Sequence, residues 1–105
     1  MEQHEKDSFL FAQLIFMFQA GAMQQMGKLK NPATDAIERD LPQAQMSIDL
    51  LDMLHRKTKG NLAPEEERMV SSILQDLKLN YVDEAAKAAA PSAEPPPEAP
   101  QTANE

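Results

Sequence analysis

Cysteine is absent from this chain of 105 residues. Disulfide bonds therefore cannot stabilise its fold, and the chain offers neither a thiolate nucleophile nor a sulfur ligand for zinc. Because nothing in the composition indicates an oxidising compartment, we expect the protein to be cytoplasmic. Histidine is scarce as well, and its two residues are too few for an ordinary zinc site. We expect no metal and no cofactor.

Basic residues are outnumbered in this sequence. Ten lysines and arginines stand against 17 aspartates and glutamates, which gives a net charge of −7 at pH 7. A surface of this sign repels nucleic-acid phosphates and anionic lipid headgroups, so we expect no nucleic-acid partner. The sequence also lacks a glycine-rich phosphate loop, a serine elbow and a metal-binding histidine pair. We therefore expect a protein that is not an enzyme and has no catalytic residues.

Charge is missing from residues 9–26, FLFAQLIFMFQAGAMQQM, which hold all four phenylalanines of the chain. At about 100° per residue on a helical wheel, Phe9 and Phe16 point in nearly one direction. Phe11 and Phe18 point in nearly the opposite direction. A helix with two opposed phenylalanine faces needs neighbours on both sides, and two amphipathic helices of the same chain can cover only one.

The second phenylalanine face predicts an interface, because contiguous exposed apolar surface commonly marks a contact surface. We take Phe11 and Phe18 as this second face and expect a homo-oligomer or a complex with a partner protein. The alternative is a three-helix monomer in which the apolar helix is central and a loop wraps its outer side. The residues expected at the interface are Phe9, Phe11, Leu14, Ile15, Phe16, Phe18 and Ala22.

The same segment has some features of a targeting or membrane sequence. Residues 9–18 have the length of a signal-peptide core, but the acidic residues before them oppose the positive start of an export signal. A membrane span would place four glutamine side chains in lipid, where each would need a hydrogen-bonding partner. The alternative function that stays open is a membrane-associated accessory protein that inserts this helix into lipid.

Helical periodicity recurs twice more along the chain. Apolar residues at three- and four-residue spacings predict a second helix that starts after Asp40 and a third that starts near Pro64. Gly60 suits a tight turn between them, so we expect an antiparallel helical hairpin. The predicted fold is all-α, with a long apolar N-terminal helix, the hairpin and a disordered C-terminal tail. The predicted domains are a flexible N-terminus (1–7), a helical domain (8–84) and an alanine- and proline-rich tail (85–105), helical at its start and then disordered.

Local signals place the ends of these elements. We expect helix one over residues 8–26, ended by Gly27, and helix two with a capping box between Asp40 and Gln43. Asn31-Pro32 predicts a turn within a short hairpin or extended arm over residues 28–41. The inward contacts expected of this arm are Leu29, Ile37 and Leu41.

One pair of side chains on helix two resembles a chemical site. Asp52 and His55 are three residues apart and share a helix face, but no further ligand, acid or base stands at a recognisable spacing. We interpret them as an exposed pair. We interpret the basic run 55–59 as a structural feature, since cations in the last turn of a helix stabilise its carbonyl end.

Short motifs between residues 31 and 82 follow the order and spacing of a known family. They are Asn31-Pro32 with Thr34, Asp40-Leu41, Ile48-Asp49 with Leu51 and Leu54, KTKGNL at 57–62, Glu65 to Glu67, and Leu77 before Tyr81-Val82. In these motifs the chain resembles the domain-of-unknown-function family number eighteen forty-four. The resemblance implies a small helical bacterial protein without an assigned activity. Asp35-Ala36 stands where the family often has a glycine turn, and Ala63 stands where a hydroxyl cap is common.

Overall fold

The computed structural model describes residues 2–89, which form three helices and a small hairpin. Helix α1 spans Gln3–Gln25, α2 spans Leu41–Lys57 and α3 spans Pro64–Ala89. Strands β1 (Lys30–Asn31) and β2 (Ala36–Ile37) pair antiparallel between α1 and α2. The predicted three-helix, all-α fold is confirmed. The disorder predicted after Pro91 falls outside the described residues.

Helix α1 begins at Gln3, before the start predicted at residue 8. The backbone N–H of Glu2 donates to Glu5 Oε1 at 3.2 Å, and a carboxylate in the first turn also suits the positive end of the helix dipole. At the other end, Gly27 has a φ of +88°. The N–H of Lys28 donates across it to the carbonyl of Met23 at 2.8 Å. Gly27 therefore ends the helix as predicted.

The predicted cap of α2 is confirmed in one half and replaced in the other. Asp40 Oδ1 accepts a hydrogen bond from the Gln43 N–H at 3.1 Å, as the sequence predicts. The N–H of Asp40 donates to the carbonyl oxygen of Gln25 at 2.7 Å, rather than to the Gln43 side chain. The start of α2 is thereby tied to the end of α1.

The turn between α2 and α3 follows the predicted hairpin. Gly60 has a φ of +89°, a left-handed conformation that glycine adopts without the steric cost of a Cβ atom. Helix α3 then starts at Pro64, where the missing proline N–H costs nothing. The N–H of Ala63 donates to Glu66 Oε1 at 2.8 Å, which is the half of a capping box that needs no hydroxyl.

The core lies where the inner sides of the three helices meet. From α1 it takes Ile15 and Ala22, and Met26 joins it just beyond the helix end. From the helical hairpin it takes Ala44, Ile48, Leu51, Val70, Ile73, Leu74 and Leu77. Beside the core, the Ser47 hydroxyl of α2 contacts the Gln25 side-chain amide of α1 at 2.6 Å. The two polar groups thus satisfy each other where α1 packs against α2.

The segment from Gly27 to Asp40 is a hairpin arm, one of the two predicted forms, but two of its three predicted inward contacts are wrong. Leu41 packs against the core, whereas Leu29 and Ile37 are exposed. The strands are two residues long, so the arm is held by polar contacts and ion pairs instead of apolar packing. Within its turn, Asp35 has a φ of +56°.

Candidate functional site

The outward face of α1 is the candidate site. It consists of five large apolar side chains on the side away from the core: Phe9, Leu10, Leu14, Phe16 and Met17. Their exposed fractions range from 39% for Leu14 to 69% for Met17. They lie within a stretch of two turns of helix that carries no charged residue. The described part of the chain leaves this uncharged apolar helix surface exposed, which makes it a candidate contact surface.

The opposite face of α1 is the one that packs within the chain, which reverses the prediction. Phe11 and Phe18 are partly buried against the core, and Phe9 and Phe16 are exposed. The reason is in the spacing, because Phe11, Ile15, Phe18 and Ala22 recur at intervals of four, three and four residues. They form one apolar stripe without a polar interruption. The stripe through Phe9 and Phe16 contains Gln13, whose amide remains in solvent.

The structure divides the predicted interface residues into two groups. Ile15 and Ala22 have no exposed surface, and Phe11 and Phe18 pack beside them, so these four belong to the intramolecular core. Phe9, Leu14 and Phe16 lie on the outward face. Sequence reasoning missed two members of that face, Leu10 and Met17. Their wheel positions, between Phe9 and Leu14, are the signal that could have found them.

A groove beside the outward face extends the apolar surface towards α2. It encloses about 290 Å³ and is lined by Leu14, Met17, Phe18, Gly21, Gln25 and Ser47. On α2 itself, Met46, Leu50 and Met53 are also exposed and recur at four- and three-residue spacing. Methionine side chains are flexible and polarizable, so such a surface can adapt to a partner's shape.

A buried carboxylate, Glu84, organises the main charged cluster among residues 2–89. Its exposed fraction is 4%, although it stands on α3 near the helix end. Lys28 Nζ lies 2.8 Å from Glu84 Oε2, and Lys87 Nζ lies 3.1 Å from the same oxygen. Arg39 pairs with the other oxygen, Oε1. The two cations of the hairpin arm thus clamp the arm onto α3.

The electrostatics of this cluster follow from its geometry. The hydrogen bond from Lys28 lowers the pKa of Glu84 most, and despite the opposing effect of burial the pKa falls to about 2. Lys28 also lies 2.9 Å from Asp83, and the pKa of Asp83 is lowered by this contact first and by Lys87 second. The sequence contains one sign of this cluster. Glu84 stands seven residues after Leu77, which places a carboxylate on the buried stripe of α3.

His55 does not form the exposed pair predicted with Asp52. Its Nε2 lies 2.6 Å from Glu67 Oε2 on α3, and its side chain is mostly buried. The contact with His55 is the main cause that lowers the pKa of Glu67. Asp52 instead lies 3.5 Å from both Arg56 and Lys78. Helix packing decides this pairing, because α3 brings a carboxylate closer to the imidazole than the residue one turn away.

A groove of about 420 Å³ lies between α2 and α3 beside these pairs. It is lined by Asp52, His55, Ser71, Leu74, Gln75, Lys78, Leu79 and Val82. Its charged groups are already paired, since Asp52 contacts Lys78 and His55 contacts Glu67. The Ser71 hydroxyl also donates to Glu67, at 3.2 Å. Chemistry in this groove would require breaking pairs that join the helices, so the groove ranks below the outward face of α1.

Membrane insertion and metal binding each require features that the described residues can be checked for. Among residues 2–89, no helix combines the length and the apolar character that crossing a membrane requires. The same residues contain no cluster of three or more histidine, aspartate or glutamate side chains placed to bind a metal ion.

Comparison with known proteins identifies a family but no close relative. No curated protein and no solved structure matches the chain. A family model described as "Domain of unknown function (DUF1844)" matches residues 8–83, which is more than half of the chain. The match covers all of α2, most of α1 and most of α3, including the outward face of α1. The chain therefore belongs to this family, as its sequence motifs predict.

Proposed function

We propose that this protein is a non-enzymatic, self-associating interaction module, and that the outward face of α1 is its contact surface. The observation that carries the proposal is the exposure of Phe9, Leu10, Leu14, Phe16 and Met17 on one uncharged helix surface. Burial of such side chains is favourable by roughly 25 cal/mol for each Å² of apolar surface removed from water. The occupant that we propose is a second copy of the same chain.

A second copy suits this surface for two reasons. The surface carries no charge, so two identical faces can meet without like-charge repulsion, as a two-fold interface requires. Small residues, Ala20 and Gly21, follow the phenylalanines along α1 and allow another helix to approach closely. Nothing lies within 4 Å of a Cβ atom built at Gly21, so the space beside it is open.

The charged clusters of the described residues support a non-enzymatic role. Glu84 is held by Lys28, Arg39 and Lys87, and His55 is held by Glu67. Each of these contacts joins two elements of the fold, apart from Lys87 to Glu84 within α3. Such groups stabilise the arrangement of helices and are not positioned as an acid, a base or a nucleophile around a shared space.

Sedimentation equilibrium at micromolar concentration tests the proposal. The wild-type chain should have the mass of a dimer or larger oligomer. The double variant Phe9→Asp, Phe16→Asp should have the mass of a monomer with unchanged helical content, because both side chains are exposed and outside the core. A charged residue in an apolar interface would have to be buried without a partner, which strongly opposes association.

A matched control uses an exposed pair of apolar residues on another helix. Leu79→Asp, Val82→Asp makes the same change in charge on α3, where both side chains are about two-thirds exposed. This variant should keep the wild-type mass. A monomeric wild-type chain would overturn the proposal, as would loss of association in both double variants alike. A monomer that sediments with phospholipid vesicles would instead favour the membrane-associated alternative.

A further inference from the structure

We infer that two copies of this chain pair through antiparallel α1 helices, with the two-fold axis passing between the two helices at the level of Leu14 and Ile15. The inference rests on the proposed self-association and adds its geometry. It is carried by four exposed residues that form a line along the centre of the outward side of α1. These residues, named the α1 stripe, are Phe9, Gln13, Phe16 and Ala20.

The side-chain sizes along the α1 stripe favour the antiparallel orientation. Phe9 lies at the N-terminal end of the stripe and Phe16 just past its middle, and the small residue Ala20 lies at its C-terminal end. An antiparallel pair places each Phe9 over the partner's Ala20 and each Gln13 beside the partner's Phe16. Large side chains then fill the space above small ones, as close packing requires. A parallel pair places equal residues together, which crowds the phenylalanines and leaves a gap at Ala20.

The charges beyond the stripe favour the same orientation. Glu2 and Glu5 are exposed and continue the line of the stripe towards the N-terminus of α1. In a parallel pair they would face the same two carboxylates of the partner. In an antiparallel pair they approach the other helix end, where Gln24 is neutral and the exposed Lys30 follows the helix.

Helix dipoles add a smaller term in the same direction. Antiparallel neighbours place the positive N-terminus of one helix beside the negative C-terminus of the other. The side chain of Lys30 is 63% exposed, and its ion pair with Asp35 is long, at 3.7 Å. It is therefore accessible to a carboxylate from a neighbouring chain. Size, charge and dipole thus agree on one orientation.

Spin-label distances test this geometry, and the absence of cysteine means that one introduced cysteine gives one label on each chain. We choose Gln24→Cys, far from the inferred axis, and Gln13→Cys, close to it. Antiparallel helices separate the two Gln24 positions by about 29 Å along the axis, at a rise of 1.5 Å per residue. Parallel helices bring them within the roughly 10 Å that separates packed helix axes. The Gln13 positions are close in both orientations.

The two labels distinguish failure of this inference from failure of the proposed function. A long distance from position 24 with a short distance from position 13 supports the antiparallel pair. Short distances from both labels would overturn the inference and leave self-association standing. No dipolar coupling from either label, together with a monomeric mass for the unlabelled chain, would overturn both. As a second measurement, oxidation of the Gln24→Cys protein should give no disulfide-linked dimer, because the two thiols are too far apart.

Discussion

In a folded chain apolar side chains are usually buried and charged ones exposed, and two regions of this protein do the opposite: the outward face of α1 and the cluster around Glu84. One is apolar and exposed, and the other is charged and buried. They differ in whether the chain supplies their partners. Glu84 has three cations around it, so its charge is compensated within the fold. The five apolar side chains of the outward face have no such cover among residues 2–89. The compensated charge stabilises the fold, whereas the uncompensated apolar face is a candidate for contact with another molecule.

The two sides of α1 give the largest expected difference. Ile15→Ala removes a fully buried side chain and should lower the free energy of unfolding by about 3 kcal/mol. Phe16→Ala changes an exposed side chain and should alter the stability of the individual chain by less than about 0.5 kcal/mol. Urea denaturation at two protein concentrations measures both, because only the contribution of self-association depends on concentration. Equal losses at both concentrations for the two variants would contradict the division of α1 into two faces.

Substitution of Glu84 should lower the free energy of unfolding without changing the oligomeric state. Glu84→Ala leaves Lys28 and Arg39 without their buried partner and should lower the free energy of unfolding by about 2 kcal/mol. The mass measured by sedimentation should stay that of the wild type, since no side chain of the cluster belongs to the outward face. Lys30→Ala, which removes an exposed pair of the same arm, is the matched control and should change the stability by less than about 0.5 kcal/mol. Similar losses for the two variants would contradict the assignment of Glu84 as the centre of the clamp.

Acid should weaken the same clamp. The pKa of Glu84 is about 2 in the folded chain and 4.5 ordinarily, so the unfolded chain binds a proton more readily between these values. The stabilisation by Glu84 is complete above about pH 4.5 and is lost as the pH falls towards 2. Thermal denaturation across this interval should show a smaller loss of stability in Glu84→Gln than in wild type. Parallel curves for the two proteins would show that Glu84 is not the titrating group, although Asp83 and Glu67 still contribute to both.

A substitution in the turn that joins α2 to α3 should have a smaller effect on stability. The turn belongs neither to the outward face of α1 nor to the Glu84 cluster. Gly60→Ala should lower the free energy of unfolding by about 1 kcal/mol, because a Cβ atom disfavours its left-handed backbone. No atom lies within 4 Å of the added methyl group, so the loss reports backbone conformation alone. Gly21→Ala is the control, since it adds a methyl group in open space within a helix and should stabilise α1 slightly. A Gly60→Ala protein as stable as wild type would contradict the positive φ.

The smallest expected effect is a gain in the hairpin arm. Asp35 has a φ of +56° in the turn between β1 and β2. Asp35→Gly should raise the free energy of unfolding by about 0.5 kcal/mol, because glycine has no Cβ atom to strain there. The long ion pair to Lys30 is lost in this variant, and Asp35→Ala loses it too while keeping the strain. A glycine variant no more stable than the alanine variant would contradict the backbone strain, and a glycine variant less stable than wild type would show that the aspartate side chain stabilises the turn.

Much of the fold could be predicted because its signals are local. Asp40 caps α2, Gly60 forms the turn and Pro64 starts α3, and each acts through the backbone of neighbouring residues. The start of α1 was placed too late, because Glu2 and Glu5 form a cap from residues that look like an acidic, unstructured leader. The contacts of the arm were wrong for Leu29 and Ile37, because ion pairs across the chain replace apolar packing there.

The candidate site could be predicted in its location but not in its orientation. A segment with four phenylalanines on opposed faces indicates that one face is left uncovered. The choice between them depends on the whole stripe, in which Ile15 and Ala22 continue the line of Phe11 and Phe18 while Gln13 interrupts the other. The partner of His55 could not be predicted either, since Glu67 is brought to it by the packing of α3 on α2.

The sequence by itself determined the three helices, the cap of α2 at Asp40, the glycine turns, and the excess of apolar surface on α1. These properties depend on residues within a few positions of one another, where helical geometry fixes which side chains are neighbours. Only the tertiary structure decided which side of α1 is buried and which cations surround Glu84. Both depend on groups that are tens of residues apart in sequence, and only the packing of the helices brings those groups together.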